Sequence, residues 1–246
     1  MSMLAAAVLA TARAMNTAGI NRGTAGNVSA RCDDGFIITP TGMAYDDCTA
    51  ADMVKVGIGG TPPKVGIEGT PPKAGIGGAP PKVGAGGTAQ PEYANSGTVL
   101  GKRKPSSEWR FHHDIYAARP EAGAIIHAHA PFATALACQQ LEIPPFHYMI
   151  ARFGGATVRC AAYATFGTQA LSDAMLVAMQ DRCACLMAHH GMVVFGGDLK
   201  EALALTIEFE ALCEQYWRVL QLGQPKLLSA DEMARVSAKF MDYGRQ

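Results

Sequence analysis

Short, nearly uninterrupted apolar runs alternate with helical patterns along most of this chain, and that alternation limits its fold more than any other feature. Gly123-Ala124-Ile125-Ile126-His127-Ala128-His129 reads as a buried strand stopped by Pro131. Phe36-Ile37-Ile38 is a short strand running into the turn Thr39-Pro40-Thr41-Gly42. Ala184 to His190 and Met192 to Phe195 are strands around Gly191. Helical patterns cover residues 3–18, 108–119 (closed by Pro120), 168–180 and 199–220. Asp198 opens the last of these with Glu201 three residues on, and Ser229-Ala230-Asp231-Glu232 opens one more. Helices interleaved with buried strands predict an α/β protein whose sheet is covered on both faces.

One segment departs from this pattern. Residues 56–91 read VGIGGTPPK, VGIEGTPPK, AGIGGAPPK and VGAGGTAQP, and they hold 11 of the 27 glycines and 7 of the 14 prolines. Each copy offers only a valine or an isoleucine or two to bury, glycine raises the cost of ordering, and Pro-Pro favours an extended solvated chain. Four such units cannot build a solenoid core. The reading is a single domain, 1–246, carrying a flexible loop insertion at 56–97. Met53 to Val56 and Thr98 to Leu100 are then two strands of a hairpin whose turn received the repeat. A basic tether built on Lys64, Lys73 and Lys82 is the alternative, but the composition is that of a linker.

Composition excludes several functions. With 49% hydrophobic and 17% charged residues the chain is not intrinsically disordered. Twenty-one basic residues balance twenty-one acidic ones, so no global field draws it to nucleic acid or to a membrane surface. No apolar run approaches the ~20 residues of a membrane-spanning helix. The apolar stretch Met3 to Ala10 lacks a preceding Lys or Arg and reads as an alanine-rich helix, not a secretion signal. Seven widely spread cysteines, an odd number, fit a reducing, cytoplasmic setting better than a disulfide framework.

Six of the seven histidines come as three close pairs. His127 and His129, two apart on a predicted strand, leave the same face and make a natural start for a metal site. His189 and His190 are adjacent on a predicted strand, so one of them can face that site. Three imidazoles with an open position are the ligand set of a catalytic zinc; histidines hydrogen-bonded in a core are the alternative. His112 lies one turn after Glu108 on a helix, and the pair could ligate a metal, but surface or helix-packing histidines fit His112 and His113 better. Cys183 and Cys185 read as buried small hydrophobes. A second, neutral cluster comprises Gly26-Asn27-Val28-Ser29, Thr39-Pro40-Thr41-Gly42 and Pro105-Ser106-Ser107-Glu108. Turn amides and hydroxyls of this kind can cradle a phosphate, although each alone is equally a plain turn or N-cap.

These motifs, in this order, resemble the class II aldolase/adducin family. The likeness is densest in Gly26-Asn27-Val28-Ser29-Ala30-Arg31, Thr39 to Gly42, Pro105 to Trp109, His127-Ala128-His129, His147-Tyr148-Met149-Ile150, Tyr163-Ala164-Thr165-Phe166-Gly167 and His189-His190-Gly191. The resemblance implies a three-layer α/β/α domain around a mainly antiparallel central sheet, assembled as a homotetramer with shared active sites. It assigns one divalent metal, most often Zn2+, to His127, His129 and His190. It makes Glu108 the catalytic acid/base and gives phosphate binding to Gly26, Asn27, Thr41, Gly42, Ser106 and Ser107. Tyr148 and Tyr243 would reach the site from a neighbouring subunit. The implied reaction is cleavage of a phosphorylated sugar, a ketose 1-phosphate such as L-fuculose 1-phosphate, to dihydroxyacetone phosphate and an aldehyde.

Relatives that resemble the sugar-phosphate 4-epimerases carry aspartate where Glu108 stands, so the glutamate favours cleavage. Aldolases or dehydratases of 5-deoxyribulose and 5-methylthioribulose 1-phosphates share the metal residues and remain alternatives. An adducin-like scaffold is the non-enzymatic one, disfavoured because all three histidine positions are filled.

Overall fold

The computed structural model describes residues 2–59, 99–100 and 102–242. Most of the repeat, from residue 60 to 98, and Tyr243 lie outside the described residues.

Among the described residues, eight strands form one sheet. In chain order they are β1 (Asn27–Cys32), β2 (Gly35–Ile38), β3 (Val54–Gly57), β4 (Val99–Leu100), β5 (Ala124–Ala128), β6 (Cys160–Ala161), β7 (Ala184–Met187) and β8 (Gly191–Gly196). Their spatial order is β4-β3-β2-β1-β5-β8-β7-β6, antiparallel throughout except for the parallel edge pair β6 and β7. The helices are α1 (Ser2–Thr17), α2 (Trp109–Ala118), α3 (Pro131–Cys138), α4 (Gln169–Ala178), α5 (Leu199–Leu222) and α6 (Ala230–Asp242).

The period of two along each strand sorts side chains into two cores. Ala124, Ile126 and Ala128 of β5 join Val28, Met192 and Val194 in a core with Val8 of α1, Leu136 of α3 and Phe209 of α5. Ile125, Val193 and Phe195 face the other way, packing with Phe111 and Ile115 of α2 and Met175 of α4. Helices therefore cover both faces, which gives the three-layer α/β/α arrangement the resemblance implied.

The elements that carry the site are pinned at their ends. Arg31 donates to the carbonyls of Tyr116, Arg119 and Ala122 at 2.7–2.9 Å, so its charge sits on the carbonyl-rich C-terminal end of α2. At the start of α3, Ala130 offers no capping side chain. Glu210 of α5 supplies the cap from outside, accepting the Phe132 and Ala133 N–H groups at 2.7 and 2.9 Å.

Several boundaries differ from the sequence reading. The strand expected to run to His190 ends at Met187, and His189 and His190 occupy a turn, His189 with φ +55°. The first repeat copy begins inside β3, since Val56 pairs with Val99 and Lys55 with Leu100. That pairing is the expected hairpin, with the insertion leaving from between its strands. Strand β1 falls where the sequence pattern indicates a polar turn, because Asn27 and Ser29 give no apolar alternation; both side chains are nonetheless buried. α3, two-residue β6 and the 3-10 helix Tyr148–Phe153 were not anticipated at all.

Candidate active site

The sheet topology brings distant segments to one end. β1 begins there, β2, β5 and β7 end there, and β8 begins there. Asn27 therefore pairs directly with His127. The chain leaving β2 is tied to the segment before α2 through Thr41 N–H to Lys104 O (3.1 Å) and Ser106 N–H to Thr39 O (3.0 Å). That tie places Glu108, the N-cap residue of α2, at the same end. Its side chain makes no capping bond and turns instead toward the histidines.

His127, His129 and His190 form a near-equilateral group. Every pair of ring centroids is 4.9 Å apart, the planes cross at 73–80°, and the ligand atoms lie within 4.8 Å of one another. His127 Nδ1–H donates to the Met192 carbonyl at 2.8 Å, which leaves the Nε2 lone pair for the centre of the group. The Nε2 atoms of His127 and His129 and Oε1 of Glu108 are buried without a hydrogen-bond partner among the described residues. His127 Nε2 and His190 Nε2 stand 3.0 Å from Oε2 and Oε1 of Glu108, within ion-pair range. Three convergent nitrogen lone pairs beside one carboxylate fit a divalent cation with an open coordination position.

Glycine permits this convergence. A Cβ on Gly191 would come within 2.5 Å of the Ala128 carbonyl oxygen and 3.1 Å of the His129 ring. One on Gly26 would meet the His127 carbonyl oxygen at 2.6 Å.

The electrostatics follow from crowding. Burial pulls the Glu108 carboxyl upward, but the charge and ring nitrogens of His127 and His190 outweigh it and hold the carboxyl well below the usual carboxylate range. Burial works against charging His127, and the Glu108 carboxylate overrides that and raises it. His129 is pushed down to about 4, by burial first and then by the charges on His127 and His190.

A cavity of about 420 Å3 opens in front of this group. Thr41, Gly42, Ser107 and Glu108 line one side, and Tyr163 and Phe166 another. Nothing in the local sequence marks these two aromatics apart from the family resemblance; their 63% and 66% exposure, unusual for large rings, does. The other expected residues fall elsewhere. Ser106 is buried with its Oγ accepting from Glu108 N–H at 3.4 Å. Asn27 is buried and donates from Nδ2 to Glu108 Oε2 at 3.0 Å. Gly26 lies against the backbone of His127, and its carbonyl accepts from the Tyr45 hydroxyl. Tyr148 is 50% exposed and stacks on Phe240 of α6, outside the cavity of its own chain. His112, expected at a surface or helix contact, is fully buried between Ser29 and Asn27. The seven cysteines are all free thiols, with Cys185 buried and Cys183 partly so.

This sheet and this histidine group define a protein class: residues 6–217 match the class II aldolase and adducin N-terminal domain, and the chain belongs to that family. It is a class II aldolase, a carbon–carbon lyase. Class II aldolases use a divalent metal, and His127, His129 and His190 have the geometry to hold one. Among its relatives, a 5-methylthioribulose-1-phosphate/5-deoxyribulose-1-phosphate aldolase of Rhodospirillum rubrum is 46% identical over 95% of this chain and 89% of its own. An L-fuculose phosphate aldolase of Escherichia coli K12 is 37% identical over 98% of this chain and 95% of its own. A solved L-fuculose 1-phosphate aldolase superposes with a TM-score of 0.80 at 30% identity, covering 98% of this chain and 97% of that one. No helix among the described residues is long and apolar enough to cross a membrane.

Proposed function

We propose that this aldolase splits the C3–C4 bond of a ketose 1-phosphate, giving dihydroxyacetone phosphate and an aldehyde. The observation that carries the reading is the triangle of imidazoles 4.9 Å on a side, closed by the Glu108 carboxylate. The sequence placed L-fuculose 1-phosphate first. The 46% identity to a relative named for 5-methylthioribulose and 5-deoxyribulose 1-phosphates, against 37% to one named for L-fuculose phosphate, supports taking those two sugars as the first candidates.

His127, His129 and His190 would hold a divalent cation, zinc by the preference of a three-imidazole set, which when bound would supply Lewis-acid stabilisation for charge on the ketose carbonyl oxygen. Glu108 returns a proton to the carbon freed when C3–C4 breaks. Thr41, Gly42 and Ser107 line the cavity and form the phosphate-binding side with Ser106 behind them. The Thr41 and Ser106 N–H groups are already spent on Lys104 and Thr39, which leaves the hydroxyls of Thr41 and Ser107 and the turn at Gly42 for the anion. Asn27 serves Glu108, and Gly26 provides room for the His127 backbone. In a homotetramer, the half-exposed Tyr148 of a neighbouring copy would handle the proton on the aldehyde oxygen, and Tyr243 would reach the same site from that copy.

A coupled assay of triose phosphate release tests this directly. The expected result is turnover of all three sugar phosphates, with the highest kcat/KM on the two ribulose derivatives. A higher kcat/KM on L-fuculose 1-phosphate reverses the substrate order. Release from none of the three overturns the proposal.

A further inference from the structure

Glu108 does not stand on its contacts with the histidines alone. Asn27 Nδ2 donates to its Oε2 at 3.0 Å. Behind Asn27, His112 Nε2 lies 2.5 Å from the amide oxygen, and Ser29 Oγ lies 2.7 Å from His112 Nδ1 and 2.8 Å from the Tyr116 hydroxyl. Asn27, Ser29, His112 and Tyr116 are each at most 2% exposed. The spacing explains how they meet. Positions 108, 112 and 116 rise one turn at a time along one face of α2, while 27 and 29 share one face of β1.

Every proton in this chain can be placed. An amide oxygen only accepts, so His112 Nε2 carries a hydrogen. Burial pushes the His112 ring down to about 3, so it is neutral and Nδ1 is a bare acceptor. Ser29 must then donate to Nδ1, and having one hydrogen it must accept from Tyr116. The donations run one way: Tyr116 to Ser29, to His112, to Asn27, to Glu108. A flipped Asn27 would set its oxygen against the carboxylate in a dry site, and its NH2 would be satisfied only if the His112 ring took the Nδ1–H tautomer and the Ser29 and Tyr116 donations reversed with it. Phe111 stacks on the His112 ring at 4.8 Å and 21°, fixing its plane.

We infer that His112, backed by Ser29 and Tyr116, is a positioning residue for Glu108, locking the Asn27 amide so that its N–H always faces the carboxylate. The inference rests on the reading of Glu108 as the acid/base. His112 lines no part of the cavity and acts only through Asn27.

The test is exchange of the C3 hydrogen of dihydroxyacetone phosphate with D2O, followed by NMR on metal-loaded enzyme; it needs Glu108 but no aldehyde. His112→Leu is expected to slow exchange by about 10- to 100-fold, the size of a small misplacement of a catalytic group, with KM and metal content unchanged. His112→Gln, whose amide can donate to Asn27 and accept from Ser29, is expected to recover most of the rate. Wild-type 15N shifts should show a neutral ring protonated at Nε2, and Ser29→Ala, a milder change should the Leu variant not fold, should slow exchange and admit the Nδ1–H tautomer. Exchange by the Leu variant at the wild-type rate, a Gln variant as slow as Leu, or a wild-type ring protonated at Nδ1 would overturn the inference while leaving the aldolase reading intact. A metal-loaded wild type that exchanges nothing removes the Glu108 reading itself, and this inference with it.

Discussion

Replacing Glu108 by glutamine separates what the carboxylate does chemically from what it does structurally. The amide fills the same volume, and its oxygen still accepts from Asn27 Nδ2, now held at 3.0 Å from Oε2. The fold and the three imidazoles should therefore persist and the protein should still take up metal. What disappears is a group able to carry a proton. Among the described residues no other carboxylate lines the cavity, so none nearby can substitute. General acid–base catalysis is worth about 10²- to 10⁴-fold, roughly 3–5 kcal/mol of barrier. With no substitute at hand, Glu108→Gln should sit near the middle, about 10³-fold down in kcat, with KM within about threefold of wild type because the interaction is made only in the transition state. The assay is steady-state release of triose phosphate, with metal content measured on the same sample. A variant that keeps its metal and more than about a tenth of wild-type kcat would refute the role.

Three other outcomes follow from the same geometry. The raised His127 means a cation must displace a proton below that residue's pKa, so metal affinity should weaken by about tenfold per pH unit there, with proton release on binding; competition titrations at pH 6 and 8 check it, and equal affinities would contradict it. Gly191→Ala would set a Cβ 2.5 Å from the Ala128 carbonyl oxygen and displace the start of β8 beside His190, so metal retention after dialysis should fall along with activity. Glu210→Ala strips the cap from α3, leaving two N–H groups without their acceptor, and should cost about 1–3 kcal/mol in urea unfolding with little change in KM.

Sequence patterns revealed the fold wherever burial followed a simple period. β5 is apolar on both faces and was legible; so was α5, where Asp198 accepts from Glu201 N–H at 2.8 Å as its spacing suggested. β1 was not, because its buried polar positions are spent on partners far along the chain: Ser29 on His112 and Tyr116, Asn27 on Glu108. The same long-range pairing hid His112, whose partners are 83 and 85 positions away. α3 went unseen because its N-terminal cap comes from Glu210, 77 and 78 positions on, leaving no local start signal except Pro131. Of His189 and His190 only the latter joins the histidine group, through a turn with left-handed His189 and not through strand alternation, while both line the cavity. Tyr243, and with it half of the expected neighbour-subunit contribution, lies outside the described residues.

Anomalous diffraction from crystals of metal-loaded protein tests the centre of this account most directly. The expected result is one peak per chain at the absorption edge of the bound metal, about 2.0–2.1 Å from the Nε2 atoms of His127, His129 and His190, and its loss in His129→Ala. A peak elsewhere, or none in active protein, would contradict it.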